Sequence, residues 1–479
     1  MSATLGTTEA GDATGATNRS VARLVLVLEA NRPLAGSAGF DLDGIHTILV
    51  GRGRERTAER KDGVLTVRVP DRRMSSQHAE LRLQFIRWQL IDRGSRNGSF
   101  VDGRRVTVHE LQEGELIELG HTAFLLQRDC PPISTQAPEV SSIPGLATWH
   151  GGLQQALANL IKLAGAPVSF LIQGESGTGK EVLARALHAL SNRPGAFVAV
   201  NAAAIPETLI ESELFGHAKG AFSGAVSKRP GLIRAAHEGT FFLDEIADLP
   251  AAAQAVLLRV LQEREVRPVG ETRTYPVDIR LVSASHKDLL ERVQSEQFRQ
   301  DLYARIAGVR LVLPPLRQRK VDLGILIAHL LPRVAKDAEQ LTFSAGAMQA
   351  LFQHDWPMNI RELENCLLTA AVLAEDGRIE SAHLFPVQPD TGPAEPATEI
   401  PVNDVNDVSD VNDVNDVNTG PVTEPPRRPA RASRPQILEA LRENQGNIAA
   451  AARKLGMSRQ ALYRRMDRLD IPRPVREGE

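Results

Sequence analysis

Cysteine is nearly absent: Cys130 and Cys366 are the two in 479 residues. That is too few for a disulfide framework or a cysteine-based metal cluster. Also missing is any apolar run near the roughly 20 residues that a membrane helix needs, so a membrane protein is not expected. Residues 1–19 are rich in Thr, Ala and Gly and hold no basic segment followed by an apolar one, so a secretory leader is not expected either. These absences point to a cytoplasmic protein. No single charge sign dominates: 56 Lys and Arg against 59 Asp and Glu give a formal net charge of −3. That average hides unlike segments. Residues 388–426 carry nine acidic residues and no basic one, whereas residues 433–479 carry ten Lys/Arg against six Asp/Glu, a net of +4. The small basic end is where a polyanion is expected to bind.

What is present is the balance of a globular protein, with 42% hydrophobic and 24% charged residues. The length predicts two to four domains. Residues 1–20 read as a disordered tail. Strand-like runs then recur through VARLVLVL, TILVGR, LTVRVP, AELRLQ, RWQLID, FVDG and AFLLQ, with Gly and Asp between them and no convincing helix. They predict a β-sandwich over 21–128. A Pro/Ser/Thr linker over 129–145 leads into 146–386, where short apolar strands (VSFLIQ, FVAVN, TFFLDE, IRLVSAS) alternate with helical stretches. That alternation predicts a parallel sheet between helices, followed by an all-helical part from residue 322 to 385. Residues 387–432 contain a reiterated Asn-Asp-Val unit whose period matches neither helix nor strand, and read as an acidic disordered tether. Three short helices are expected over 433–474, with Asn447 and Ser458 as caps. The predicted fold class is therefore multidomain: all-β, then α/β with a helical lid, then all-α.

The chemistry is densest at GESGTGKE, residues 174–181, which follows the strand VSFLIQ and opens the helical run EVLARALHAL. This is the context of a phosphate-binding loop for ATP. Gly174, Gly177 and Gly179 let backbone N–H groups turn toward phosphates, with Glu175, Ser176 and Thr178 between them. Lys180 can reach the β and γ phosphates, and the helix N-terminus adds its dipole. Glu181 stands where a metal-binding Ser or Thr is usual, leaving Thr178 or water to substitute. The apolar strand GTFFLDE ends, 64 residues beyond Lys180, in Asp244 and Glu245. Carboxylates at a strand's C-terminal end lie beside the phosphate loop in such sheets. Asp244 is placed to hold Mg²⁺, directly or through water, and Glu245 to orient or deprotonate the attacking water.

Residues 146–385 resemble the central AAA+ domain of sigma-54-dependent activators, the bacterial enhancer-binding proteins. The resemblance rests on the phosphate loop, ESELFGHAKGAFSGA, GTFFLDE, FRQDLYAR, LPPLRQR and WPMNIRELEN, in that family's order. It implies that Arg299 and Arg305 act in trans as arginine fingers and that Arg361 senses nucleotide in cis. It also implies that Asn201 restrains the catalytic Glu245 until the target engages; a plain strand-end turn is the alternative. The loop Gly220, Ala221, Phe222, Ser223, Gly224, Ala225 is then the part that grips sigma-54, one exposed aromatic among small residues. The family's usual Thr is Ser223 here, its usual Gly is Met358, and Ser285 takes the place of another usual Thr.

The pairs and loops GR (Gly51, Arg52), SSQH (Ser75 to His78) and GSRNGSFVDG resemble the forkhead-associated (FHA) domain. That resemblance implies phosphothreonine recognition, with Arg52 and Ser75 on the phosphate, Asn97 on the peptide backbone and His78 bracing the loops. A guanidinium fork with hydroxyl donors suits a dianionic phosphate. The basic end resembles a Fis-type helix-turn-helix, with Arg459 and Gln460 near base edges and Tyr463 and Arg464 near phosphate. Together these imply an ATP-hydrolysing ring, hexameric when active, that binds upstream DNA and remodels sigma-54 RNA polymerase. A phosphothreonine protein or Ser/Thr kinase is then its signalling partner. A DNA-bound repressor with a structural ATPase, or remodelling of another target, are the alternatives.

Overall fold

The computed structural model describes residues 20–133 and 146–386, together with Ala440, Ala451 and Lys454. The expected tail over 1–19, most of the first linker, the acidic tether and the caps Asn447 and Ser458 lie outside those residues. Two six-stranded sheets form the N-terminal sandwich. One runs Ala38–Asp41, Val21–Glu29, Thr122–Cys130, Leu116–Leu119, Ser99–Val101, Arg104–Val106. The other runs Val108–Glu110, Arg87–Asp92, Ala79–Gln84, Thr47–Arg52, Val64–Val69, Thr57–Lys61. Strands such as Val64–Val69 alternate buried and half-buried residues, the period-2 pattern of a sheet with one face inward. Val21–Glu29 does not alternate, and eight of its nine residues are buried. The reason is that both faces are covered: Leu24 and Leu26 point into the sandwich, while Val25 and Val27 join a second core.

The next domain is a five-stranded parallel sheet in the order Phe197–Asn201, Thr240–Asp244, Arg280–Ser285, Phe170–Gln173, Val309–Val312. Helices Gly151–Leu163 and Lys180–Leu190 contribute to one apolar cluster beside it, and Ala251–Glu263 and Gln300–Ile306 to another. Above it sits a lid of helices Leu323–Val334, Ala345–Gln353, Asn359–Leu373 and Ser381–Leu384. The sequence predicts a lid that is helical throughout, and the structure differs. Thr342–Phe343 and Arg378–Ile379 form a two-residue parallel pair between its helices, too short for any periodicity to announce.

Sandwich, sheet and lid make one compact unit, and Ala440, Ala451 and Lys454, all helical, belong to another. Within the first unit the sandwich's outer face and the lid share a core, in which Val25, Val27, Leu116 and Leu125 meet Leu323, Ile327, Phe343 and Met348. Trp149 is fully buried there; truncating such a residue to Ala costs about 3–5 kcal/mol. The buried Arg23 guanidinium pairs with Asp41 at 2.7 Å and donates to Gln154 Oε1 at 2.9 Å, so its charge is partnered on both sides of the junction. The Phe343 N–H donates to the Ala30 carbonyl at 2.7 Å. Cys130 and Cys366 are both buried and unpaired. Burial pushes their thiols up, to about 11 and about 12 respectively.

Candidate functional site

The phosphate loop takes its shape from its glycines: Gly177 and Gly179 have φ of 77° and 101°, values that side-chain-bearing residues rarely adopt. A Cβ on Gly177 would also collide with the Met358 carbonyl of the lid. Gly179 caps the helix Lys180–Leu190, which leaves the first amides of that helix facing the loop. Lys180 is largely buried, and its Nζ lies 3.0 Å from the Gly174 carbonyl, 3.4 Å from that of Glu175 and 3.7 Å from Glu245 Oε1. Thr178 is buried and donates its hydroxyl to the Glu175 carbonyl at 2.8 Å. Glu181 is exposed and paired with Arg185 at 2.6 Å.

Residues of the lid and of the turn leading into it grip this loop from outside. Arg317 forks onto Glu175 at 2.6 and 2.8 Å, and Arg319 donates to the Thr178 carbonyl at 2.8 Å. Asn359 Nδ2 donates to Glu175 Oε2 at 3.1 Å and to the Ser176 carbonyl at 2.9 Å, and Arg361 reaches Ser176 Oγ at 3.4 Å. Met358 in place of a usual Gly is accommodated: its φ is −98° and its side chain is exposed. Arg317, Arg319 and Asn359 have no role in the sequence reading, because contacts to loop carbonyls leave no periodic or motif signal beyond LPPLRQR and WPMN themselves.

Lys180, Asp244, Glu245, Asn201 and Arg361 all line one cavity of about 460 Å³ that runs from the loop to the lid. Asp244 ends its strand half-buried, and burial followed by the neighbouring Glu245 carboxylate pushes its carboxyl above the usual range. This all-oxygen donor set fits Mg²⁺, which is usually held by one or two carboxylates plus phosphate oxygens. Glu245 has φ of 52°, a strained turn that sets its carboxylate toward Lys180 and, at 2.6 Å, toward His286 Nδ1. Asn201 makes no hydrogen bond to it. The Asn201 side chain accepts from the Ala203 N–H at 2.9 Å instead, capping a short turn at the strand end. His286, missed in the sequence, follows Ser285, whose hydroxyl donates to the Lys287 carbonyl at 2.9 Å.

Arg299 pairs with Asp301 at 2.8 Å and Arg305 donates to the Leu261 carbonyl at 3.0 Å. Neither lines the nucleotide cavity of its own chain. The segment Gly220 to Ala225 is a closed loop: Gly220 N–H donates to the Ala225 carbonyl at 2.8 Å, and Gly220 and Gly224 have φ of 80° and 106°. The Phe222 ring, 38% exposed, meets the His217 ring edge-on at 5.0 Å between centroids. Ser223 and Gly224 are exposed, Ala221 is half-buried and Ala225 is buried.

At one end of the sandwich, Arg52 is exposed and its N–H donates to the Ser75 carbonyl at 2.9 Å. Gly51 is needed beside it, because a Cβ there would strike the Ser76 carbonyl. Ser75 Oγ accepts from the Arg96 N–H at 3.1 Å, and Asn97 Nδ2 donates to the Arg73 carbonyl at 2.6 Å. His78 is buried, which lowers its pKa. It accepts from the Ser75 N–H at 3.0 Å and holds the Gly98 carbonyl at 3.1 Å, tying the loops that carry Ser75 and Asn97 together. Arg459, Gln460, Tyr463 and Arg464 lie outside the described residues. Among the described residues, no helix is long and apolar enough to cross a membrane.

Four family models match this chain: the sigma-54 interaction domain over residues 147–312, an AAA+ ATPase lid domain over 317–399, an FHA domain over 48–120, and a bacterial regulatory protein of the Fis family over 429–469. The acetoin catabolism regulatory protein of Cupriavidus necator is 41% identical, over 76% of this chain and 53% of its own length. The Nif-specific regulatory protein of Herbaspirillum seropedicae is 39% identical, over 72% and 66%. Transcriptional regulatory protein ZraR of Salmonella typhimurium is 41% identical, over 68% and 68%. The chain thus spans about half the length of the first relative and about two thirds of the other two.

Proposed function

The chain belongs to the family of sigma-54-dependent transcriptional regulators, and from that premise we propose that it is an activator whose ATP hydrolysis remodels the closed complex of sigma-54 RNA polymerase. The observation that carries this reading is the convergence of Lys180, Asp244, Glu245 and Arg361 on one cavity bordered by the lid. In this reading Lys180 exchanges the Gly174 and Glu175 carbonyls for the β and γ phosphates, and the loop from Gly174 to Glu181 cradles the rest. Asp244 holds Mg²⁺, which neutralises charge on the phosphates. Glu245 orients the attacking water and accepts its proton. Asn201, in the same cavity, takes Glu245 from His286 to restrain it until the polymerase engages. Arg361 reads the nucleotide in cis, and Arg299 and Arg305 reach the neighbouring subunit's ATP in a hexamer. Guanidinium groups suit charge spread over phosphoryl oxygens.

The loop from Gly220 to Ala225 presents Phe222 to sigma-54, while Arg459, Gln460, Tyr463 and Arg464 hold upstream DNA. Phosphothreonine on a partner protein, placed there by a Ser/Thr kinase in the same cytoplasm, binds Arg52, Ser75 and Asn97 and sets the activity of the ring. The test is transcription from a sigma-54 promoter with purified holoenzyme, this protein and ATP, with and without a phosphothreonine peptide. ATP-dependent open complexes support the proposal, and the peptide's effect gives the sign of control. Hydrolysis without transcription in either condition moves the target elsewhere.

Two substitutions separate the sites. Lys180→Ala removes the buried ammonium and is expected to take fluorescent ATP-analogue binding below detection. Arg52→Ala removes a charge-assisted phosphate contact worth about 1.5–3 kcal/mol, roughly ten- to hundredfold in affinity. Calorimetry with a phosphothreonine peptide is expected to lose its signal while basal ATPase stays intact. Unchanged peptide affinity would place phosphate recognition on other residues.

A further inference from the structure

A polar path joins the sandwich to the phosphate loop through the first residues of the ATPase domain. The Trp149 indole donates from Nε1 to Ser37 Oγ of the sandwich at 2.7 Å. Its ring lies so close to Gly39 that a Cβ there would collide with it. The Trp149 backbone N–H donates to Asp322 Oδ1 at 2.6 Å, and the Thr148 hydroxyl donates to Asp322 Oδ2 at 2.7 Å. Asp322 and Arg319 are both buried and are joined through the backbone, the Asp322 N–H donating to the Arg319 carbonyl at 2.8 Å, and Arg319 donates to the Thr178 carbonyl of the phosphate loop at 2.8 Å. Arg319 Nε has no hydrogen-bond partner, so this guanidinium is held by few contacts. A buried charge of that kind depends strongly on the few partners it has. Thr148, Thr178 and Arg319 line the nucleotide cavity, whereas Ser37, Gly39 and Trp149 do not.

We infer that the outer face of the sandwich is a docking surface for the ATPase domain, and that Trp149, Asp322 and Arg319 carry its seating to the phosphate loop and set nucleotide affinity. Seating of the sandwich fixes the backbone at 148–149 and so the Asp322 carboxylate. That carboxylate pins the short turn from Arg319 to Asp322, closed by the Asp322 N–H on the Arg319 carbonyl, and so keeps Arg319 on the Thr178 carbonyl; the loop is ordered before nucleotide arrives. An unseated sandwich leaves that ordering to be done at binding, which weakens affinity. Arg319 is in this account a positioning residue, and Trp149 is the joint. The inference rests on the reading of residues 174–181 as an ATP site. It does not depend on what the sandwich binds at Arg52.

The coupling must also be reciprocal: nucleotide must tighten the seating by the factor by which seating tightens nucleotide. Mant-ADP titrated into the full chain is the probe. Gly39→Val wedges the sandwich from Trp149 without touching the cavity and is expected to weaken mant-ADP at least fivefold. Ser37→Ala and Trp149→Phe each remove the indole hydrogen bond and are expected to weaken it about twofold. Hydrogen exchange of the Phe343 amide, which bonds the Ala30 carbonyl across the junction, is expected to slow on saturation with mant-ADP in the wild-type chain and not in Gly39→Val. Wild-type affinity in a folded Gly39→Val overturns the coupling. If Gly39→Val does not fold, wild-type affinity in both Ser37→Ala and Trp149→Phe overturns it equally. No binding by the wild-type chain itself overturns the ATP reading, and the inference with it.

Discussion

Glu245→Gln is expected to bind ATP as the wild-type chain does and to release phosphate about 10² to 10⁴ times more slowly, the usual contribution of a positioned general base. The substitution keeps the side chain's size and one acceptor oxygen for His286, while removing the negative charge beside Lys180. It removes the basicity needed to accept a proton from water. The left-handed φ of 52° at this residue places its carboxylate between Lys180 and His286. Steady-state phosphate release alongside analogue titration is the measurement. Turnover within a factor of a few of wild type would move the base to another group, with His286 the nearest candidate at 2.6 Å.

Phe222→Ala is expected to separate the two halves of the proposed reaction, hydrolysing ATP at the wild-type rate and forming no open complexes. Phe222 is an aromatic anchor on a loop otherwise built of small residues, and truncating such an anchor typically costs at least about 2 kcal/mol, roughly 30-fold in partner affinity. The loop should keep its form, because the Gly220 to Ala225 hydrogen bond and the two positive-φ glycines do not involve the ring. ATPase assays and promoter-opening assays on the same preparation decide it. Normal opening by Phe222→Ala would show that sigma-54 is not gripped through this loop.

What a sequence makes legible here is what short-range chemistry dictates. The phosphate loop is readable because its glycines, its lysine and the adjoining strand and helix are consecutive, and the strand TFFLDE because its apolar run ends in two carboxylates. The loops of Arg52, Ser75 and Asn97 are readable from Gly-bearing turns at fixed order. Less legible are elements without an apolar period. Thr57–Lys61 is a largely exposed edge strand, and Thr342–Phe343 pairs with Arg378–Ile379 over two residues only. The embrace of Glu175, Ser176 and Thr178 by Arg317, Arg319 and Asn359 is illegible for another reason. Its acceptors include backbone carbonyls far away in the chain, and any residue supplies a carbonyl. The placement of Glu245 on His286, with Asn201 turned to Ala203, likewise depends on how two strand ends are rotated. The strand Val21–Glu29 carries a signal of its own. VARLVLVLE has too few polar residues for a strand with a wet face, and that surplus of valine and leucine marks the second surface it buries.

Both thiols of the chain lie inside its cores, and at neutral pH both are fully protonated because burial pushes them to about 11 and about 12. A protonated thiol is a poor nucleophile, so Cys130 and Cys366 are nearly silent toward maleimides and mild oxidants. The natural protein is therefore already a quiet background for site-specific probes. A Ser223→Cys chain would carry a single fast-reacting sulfur at the tip of the Phe222 loop. Its labelling rate through the nucleotide cycle would report that loop's exposure in real time, with no need to strip the native cysteines first.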